Sequence, residues 1–331
     1  MERDTMIRKA QPTPSAVHVD RPLTNMSLAI LQDPSAFIAD QVFPQLPVSK
    51  QSDLYREYPR GAFNRDEMEK RAPGTESAQV AYETSTTPYY ADVWAAHVDI
   101  DEQTEENADE EVDLDFEAVQ LLSHKALINR DAQWAANYFV TGVWTFEEDF
   151  GAQATQQWND YTNSAPLQEI EGKKVEMGSS TGMEPNTLIL GRRVWQQLKN
   201  HPDLVGRLDR GQTTGPARVL LQSLANLLEL DRVLVSRSIV NSAAEGAADS
   251  HDYIMGNHAL LLYVPDSPGR YTPSAGYTFT WRGFSGATAA GSRMKRIESP
   301  LTASRRIEIE SAYAQQLISP DLGSMLLDIV A

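Results

Sequence analysis

The chain has 331 residues, 41% hydrophobic and 23% charged, which is enough for a sizeable core and for two domains, and is not a disordered composition. Its 29 Lys and Arg against 46 Asp and Glu give a formal net charge of −17, which argues against gripping nucleic acid through phosphate contacts. The absence of cysteine excludes disulfides, zinc–thiolate centres and cysteine nucleophiles. The charged start MERDTMIRKA lacks the apolar segment of a signal peptide, and no apolar run approaches the roughly 20 residues of a membrane span.

Residues 1–22 are polar and dotted with Pro12, Pro14 and Pro22, an extended arm with no core of its own. Residues 24–31 read as a short turn. Asp33-Pro34 has the form of an N-cap followed by proline at the first helical position. Phe37, Ile38, Gln41 and Val42 give the short helix that follows its apolar side, and Pro44 and Pro47 end it. Residues 50–88 hold Lys50, Arg56, Arg60, Arg65, Lys70 and Arg71 among Asp53, Glu57, Asp66, Glu67, Glu69 and Glu76, with few aliphatics. Residues 53–58 alternate as a strand, and RAPGTESAQVAYETSTTP reads as loop or irregular strand. A long two-stranded loop reaching away from the body fits, because it needs partner surface to be stable.

Trp94, Ala96, Val98 and Ile100 alternate with Ala95, His97, Asp99 and Asp101, the period of a half-buried strand. The acidic run from Asp99 to Asp115 reads as a solvated linker ending in a helix N-terminus. The longest helix is predicted over about 113–139, with Phe116, Val119, Leu122, Ala126, Leu127 and Trp134 on one stripe and Asp113 and Asp115 suited to the positive end. At ~1.5 Å per residue it reaches about 40 Å, a spine. Residues 140–178 are mixed, with a short helix over 165–177 that turns at Glu171-Gly172.

In EPNTLILGRRVWQQLKNHPDLVGRL a buried strand over 187–190 breaks at Gly191, a helix spans 192–200, and His201-Pro202-Asp203 stops it before a second short turn over 204–208. A helix over 218–230, a strand over 232–240, a small-residue loop over 241–249 and a strongly buried strand over 253–264 come next. Tyr277, Phe279 and Trp281 mark another strand, residues 283–292 a loop, and Ile307 and Ile309 a strand that continues to 318 as strand or short helix. There is no internal repeat.

No chemical motif emerges. The acidic run fails the calcium-loop pattern, since the sixth residue is Thr104 counted from Asp99 and Glu106 counted from Asp101. Gly286 and Gly291 have phosphate-loop spacing, but Ser292-Arg293 stands where Lys-Ser or Lys-Thr is needed. Ser285 is not in a nucleophile elbow, and none of the six histidines lies in a metal-binding pattern. No catalytic, cofactor-binding or metal-ligating residue is therefore predicted.

From about Leu23 onward, the segments TNMSLAILQDPSAFIADQVFPQLPV, RAPGTESAQV, DLDFEAVQLLSHKALINRDAQW and EPNTLILGRRVWQQLKNHPDL, in this order, resemble the Hong Kong 97-type major capsid proteins of tailed bacteriophages. The resemblance implies an α+β fold with an N-terminal arm (1–49), an extended loop overlapping a neighbouring subunit (50–98), a peripheral domain (99–179) containing the spine helix, an axial domain (180–297) and a return strand to the peripheral domain (298–331). It implies no enzyme and no cofactor. The function it implies is a structural subunit that self-assembles into the icosahedral head shell around double-stranded DNA, in the virion, after assembly in the host bacterial cytoplasm.

The implied partners are further copies as pentamers and hexamers, a scaffolding protein, a portal, a decoration protein, and packaged DNA by proximity without specific binding, with no membrane. Arg56, Arg60, Arg65, Glu67, Lys70 and Arg71 are the candidate inter-subunit contacts. Some members cross-link a lysine of the extended loop to an asparagine; Lys50 and Lys70 lie in the matching region, with the asparagine and catalytic carboxylate unassigned. The start without a long helical leader suggests a separate scaffold or a processed product. Two alternatives stay open: an encapsulin-like compartment shell, and an acidic metal-dependent enzyme using Asp99, Asp101 and Glu105.

Overall fold

Two five-stranded sheets, bridged by one long helix, organise the chain. The computed structural model describes residues 32–58, 60–107, 113–151, 156–209, 221–269, 272–283, 288 and 291–331. The predicted arm over 1–22, the turn over 24–31, the start of the helix expected from 218 and most of the loop over 283–292 lie outside the described residues.

The strands are β1 (Gln45–Val48), β2 (Ser52–Glu57), β3 (Ser85–Tyr90), β4 (Asp92–Asp101), β5 (Phe146–Asp149), β6 (Thr187–Leu190), β7 (Arg232–Val235), β8 (Ile239–Asn241), β9 (His251–Tyr253), β10 (Ala259–Leu262), β11 (Gly276–Trp281), β12 (Ser292–Ser299), β13 (Ser304–Leu317) and β14 (Gly323–Leu327). The helices are α1 (Ala39–Val42), α2 (Arg60–Phe63), α3 (Glu102–Glu106), α4 (Leu114–Tyr138), α5 (Pro166–Thr181), α6 (Arg192–Leu198), α7 (Pro202–Asp209) and α8 (Leu221–Leu227).

The first sheet has the order β5-β14-β10-β6-β7. Its inner strands β6, β10 and β14 are buried on both faces, which is why TLIL and ALLL are continuous apolar runs rather than alternating ones. Leu188, Leu190, Leu261 and Leu326 face a core built with Leu167 and Ile170 of α5, Val194 and Leu198 of α6, Leu204 of α7 and Leu224 of α8. Ile189, Leu260, Leu262, Met325 and Leu327 face a second core with Phe43, Trp134 and Phe139.

In the second sheet, β13 pairs with β11 and β12 along one edge and with β4 along the other. The amino-terminal half of α4 packs on it through Ala118 and Leu122, against Ile100 and Ile307. The carboxy-terminal half packs Trp134 and Ala135 into the second core of the first sheet. One helix thus ties both sheets together. Asp113, expected at the positive end of this helix, also caps it by accepting the N–H of Phe116 at 3.0 Å.

The segment before β1 is held by α4. Asp33 caps a 3₁₀ turn over Pro34–Ala36, as its sequence indicates. The buried carboxylate of Asp131 accepts the N–H groups of Ile38 and Ala39 and the hydroxyl of Ser238. Arg130 pairs with Asp40 at 2.7 Å and stacks over the Tyr313 ring at 4.8 Å.

Several predicted boundaries move. Helix α5 runs through Glu171-Gly172 without turning and stops at Gly182, whose φ of 72° is the left-handed helix end that glycine supplies. Residues 204–208 are helical, because Pro202 opens α7 rather than only ending α6. The predicted strand 232–240 divides at Ser238, which turns towards Asp131. The predicted strand 253–264 divides at Gly256, whose carbonyl lies where a Cβ on Gly191 would stand, so the two backbones meet without side chains between them. Residues 311–317 are strand, not helix. In β4 only Ile100 is buried and Trp94 is exposed, so the expected half-buried alternation holds only near its end. Phe116, expected on the buried stripe of α4, is exposed.

Candidate self-association surface

Strands β2 and β3 form an antiparallel hairpin in register from Ser52↔Tyr90 to Glu57↔Ser85. Its base is fixed to the second sheet: Tyr89 stacks on Phe279 at 4.6 Å between centroids, and Tyr55 lies 5.8 Å from the same ring. Beyond the base, residues 64–84 form no helix or strand, and nearly every described side chain from Tyr58 to Thr84 is exposed. Tyr58, Phe63 and Tyr82 cluster with ring centroids 5.2–6.1 Å apart. They cover one another poorly: Phe63 is 58% exposed, Tyr82 59% and nearby Met68 92%. Surface of this kind, left uncovered among the described residues, is the kind in which interaction sites are found. At about 25 cal/mol per Å², covering each such ring stabilises an interface by roughly 1–2 kcal/mol.

The charged residues singled out from the sequence lie along this extension. Arg56 is exposed on β2, Arg65 reaches Glu67 at 3.4 Å, Arg71 donates to the carbonyl of Thr75, and Lys70 is exposed. Arg60 opens α2, and its side chain lies outside the described residues. Lys50 pairs with Asp53 at 3.2 Å. These are local pairings spread along the hairpin rather than one cluster. The apolar residues Leu54, Phe63, Met68, Val80 and Tyr82, exposed among them, carry the stronger signal, and their scatter among charges conceals it in the sequence.

Where it is described, the acidic run is part strand and part helix rather than a linker, and several of its carboxylates are engaged although Glu102 and Glu106 are exposed. Arg306 forks onto Asp99 at 2.7 and 2.9 Å, and this bond holds the Asp99 carboxyl below the usual carboxylate range. Arg305 bridges Glu105 at 2.8 Å and Asp115 at 2.6 Å, and Arg296 reaches Asp115 at 3.3 Å. Asp101 caps α3 through the N–H of Thr104. Asp99, Glu105 and Asp115 therefore find their countercharge on β12 and β13, nearly two hundred residues later in the chain. Each acid of the metal-dependent alternative is already engaged by an arginine or an N–H donor. Among the described residues, no group of three His, Asp or Glu could hold a metal ion.

One Ser–His pair had no sequence signature: Ser164 Oγ lies 3.0 Å from His201 Nε2. His201 Nδ1 accepts the N–H of Asp203, so Nε2 carries the proton and cannot take one from Ser164. With this tautomer the pair is not a nucleophile and its base.

No protein-family model matches the chain. Over 324 residues it is 27% identical to the major capsid protein of Pseudomonas phage JBD67, an alignment covering 95% of this chain and 97% of that protein. Over 270 residues it is 23% identical to the major capsid protein of Burkholderia phage BcepMu, covering 80% and 84%. The chain is a homologue of phage major capsid proteins.

Solved structures agree in fold. A phage-related protein from Bordetella bronchiseptica RB50 matches with a TM-score of 0.66 at 20% identity, over 94% of this chain and 97% of that one. The capsid of cyanophage P-SCSP1u matches with a TM-score of 0.58 at 13% identity, over 88% of each. The SrpI encapsulin of Synechococcus elongatus PCC 7942 matches with a TM-score of 0.56 at 12% identity, over 95% and 98%.

Proposed function

We propose that copies of this chain assemble as pentamers and hexamers into the icosahedral head shell of a tailed phage, in the Hong Kong 97 manner, around double-stranded DNA. The observation that carries this reading is the similarity to a phage major capsid protein along 95% of the chain. The uncovered hairpin supports it, since a shell subunit must expose surfaces that only its neighbours can bury. In this reading residues 1–49 are the arm, 50–98 the extended loop over a neighbouring subunit, 99–179 the peripheral domain, 180–297 the axial domain and 298–331 the return strand. Arg56, Arg60, Arg65, Glu67, Lys70 and Arg71 are inter-subunit contacts that set register around the apolar ones.

The net charge of −17 would keep enclosed DNA close to the wall without gripping it. A scaffolding protein, a portal and a decoration protein complete the assembly in the host bacterial cytoplasm, and the shell is part of the virion. Electron microscopy of the full chain, expressed alone and with an adjacent scaffold candidate, tests the reading: closed shells of uniform diameter are expected. Deleting residues 56–85 should leave a folded body that no longer assembles, and normal shells from that deletion would refute the extended-loop assignment. An encapsulin-like compartment is the second reading, favoured by the fold shared with SrpI. The contents of purified shells, DNA or protein, separate the two.

A further inference from the structure

His201 lies between α6 and α7 and is 2% exposed. Its surroundings fix every proton. The backbone N–H of Asp203, in the first turn of α7, has no carbonyl within the helix to meet and donates to Nδ1 at 3.2 Å. Nδ1 must therefore hold a lone pair, and the ring proton sits on Nε2. Ser164 donates its own hydroxyl proton to the carbonyl of Asp160 at 2.6 Å, so its oxygen is left to accept from Nε2–H at 3.0 Å. The result is a directed chain: Asp203 N–H to Nδ1, Nε2–H to Ser164, and Ser164 O–H to Asp160. It joins the start of α7 to the loop over residues 156–165, and only neutral imidazole satisfies it.

The charged neighbours are few. Asp203 faces the ring from α7 and favours imidazolium. From the loop, Tyr161 packs its ring edge-on at 5.4 Å, and the carboxylate of Asp160 is turned away to Thr162 and Asn163. From α6, neutral Gln197 binds the Tyr161 hydroxyl. Burial outweighs the pull of Asp203 and pushes the imidazole below the ordinary histidine value of 6.5.

We propose that His201 is an acid-sensitive latch: a proton on Nδ1 meets the N–H of Asp203 head-on and frees the start of α7 from the 156–165 loop while the sheets stay formed. The sign follows from linkage. A histidine with a depressed folded value keeps its contribution in full above 6.5 and loses it as pH falls towards the folded value, about tenfold in the opening equilibrium per pH unit across that window. The latch stands on the described geometry alone and does not depend on the shell reading.

Hydrogen–deuterium exchange of the full chain at pH 7.5, 6.5 and 5.5, corrected for intrinsic exchange, tests it. Amides of residues 203–209 should lose protection by up to about tenfold per unit below 6.5, while β6 and β10 keep theirs. His201→Asn offers a carbonyl oxygen to the Asp203 N–H and does not titrate, so its α7 should exchange at a rate independent of pH. An α7 in the wild type that stays protected to pH 5.5, or that opens only together with β6 and β10, overturns the latch whether or not the variant folds. Equal pH dependence in the variant does so too.

Discussion

Glu147 shows how much one side chain can organise. From β5 it accepts the N–H groups of Gly142, Val143 and Trp144 and lies 3.2 Å from the hydroxyl of Thr141. It closes the turn that follows α4. Burial alone would raise its pKa, but these donors outweigh burial and hold it below the ordinary value of 4.5. Its contribution is therefore complete above 4.5 and is lost as pH falls through the folded value. Glu147→Gln should cost about 1–3 kcal/mol at neutral pH and flatten the acid limb of the stability curve, read by denaturant titration at several pH values. An unchanged acid limb would mean that other carboxylates dominate there. At this scale the sequence is legible where partners are close in the chain. The caps Asp33 and Asp113 stand two and three residues from the N–H groups they bind. Asp131 and Ile38 stand 93 apart, and nothing local announces them.

Helix α4 was the most legible element, because 25 residues sample its periodicity many times over. Trp134 is the deepest point of its carboxy-terminal half, packed edge-on against Phe43 at 5.7 Å. Trp134→Ala should cost about 3–5 kcal/mol in chemical denaturation. Among the described residues its indole N–H has no partner, so Trp134→Phe forfeits volume but no hydrogen bond and should cost clearly less than alanine. Equal losses in the two variants would point to an unseen acceptor. The short strands were harder to read. TLIL and ALLL announce burial, but GSMLL begins with two small residues and follows closely on Pro320-Asp321, so β14 passes for loop. Strand β12 reads SRMKRIES, too charged to suggest a sheet, because Arg293 and Lys295 are matched by Glu308 and Glu310 on β13 and Arg296 by Asp115 on α4. The breaks in the strands predicted over 232–240 and 253–264 depend on the packing of Ser238 on Asp131 and of Gly256 on Gly191, which no local pattern encodes.

For the whole molecule, the exposed hairpin separates folding from association. Phe63 and Tyr82 do not touch the cores, so the double substitution Phe63→Ser and Tyr82→Ser should leave subunit stability within about 0.5 kcal/mol. It should sharply reduce the yield of assembled particles on size-exclusion chromatography. Normal particle yield from a stable double variant would remove the aromatic cluster from the interface. A loop with few aliphatics was visible in the sequence, as was its need for partner surface. Its aromatic cluster was not, because Tyr58 and Tyr82 meet only when the hairpin brings its two arms together.

The middle positions of β13 and β14 also set a timetable. Strand β13 joins β4 to β11 and β12, and β14 lies between β5 and β10, yet both come after every other described strand in the chain. While the polypeptide is being made, each sheet has its flanks before its centre, and neither can close until residues 304–327 have left the ribosome. Strands β4 and β5 must wait for partners that come last, and the hairpin emerges long before the body that will carry it is rigid. Closure of the sheets only after residues 304–327 are free to pair would delay the first competent encounter between subunits, a natural brake on premature association between half-made neighbours.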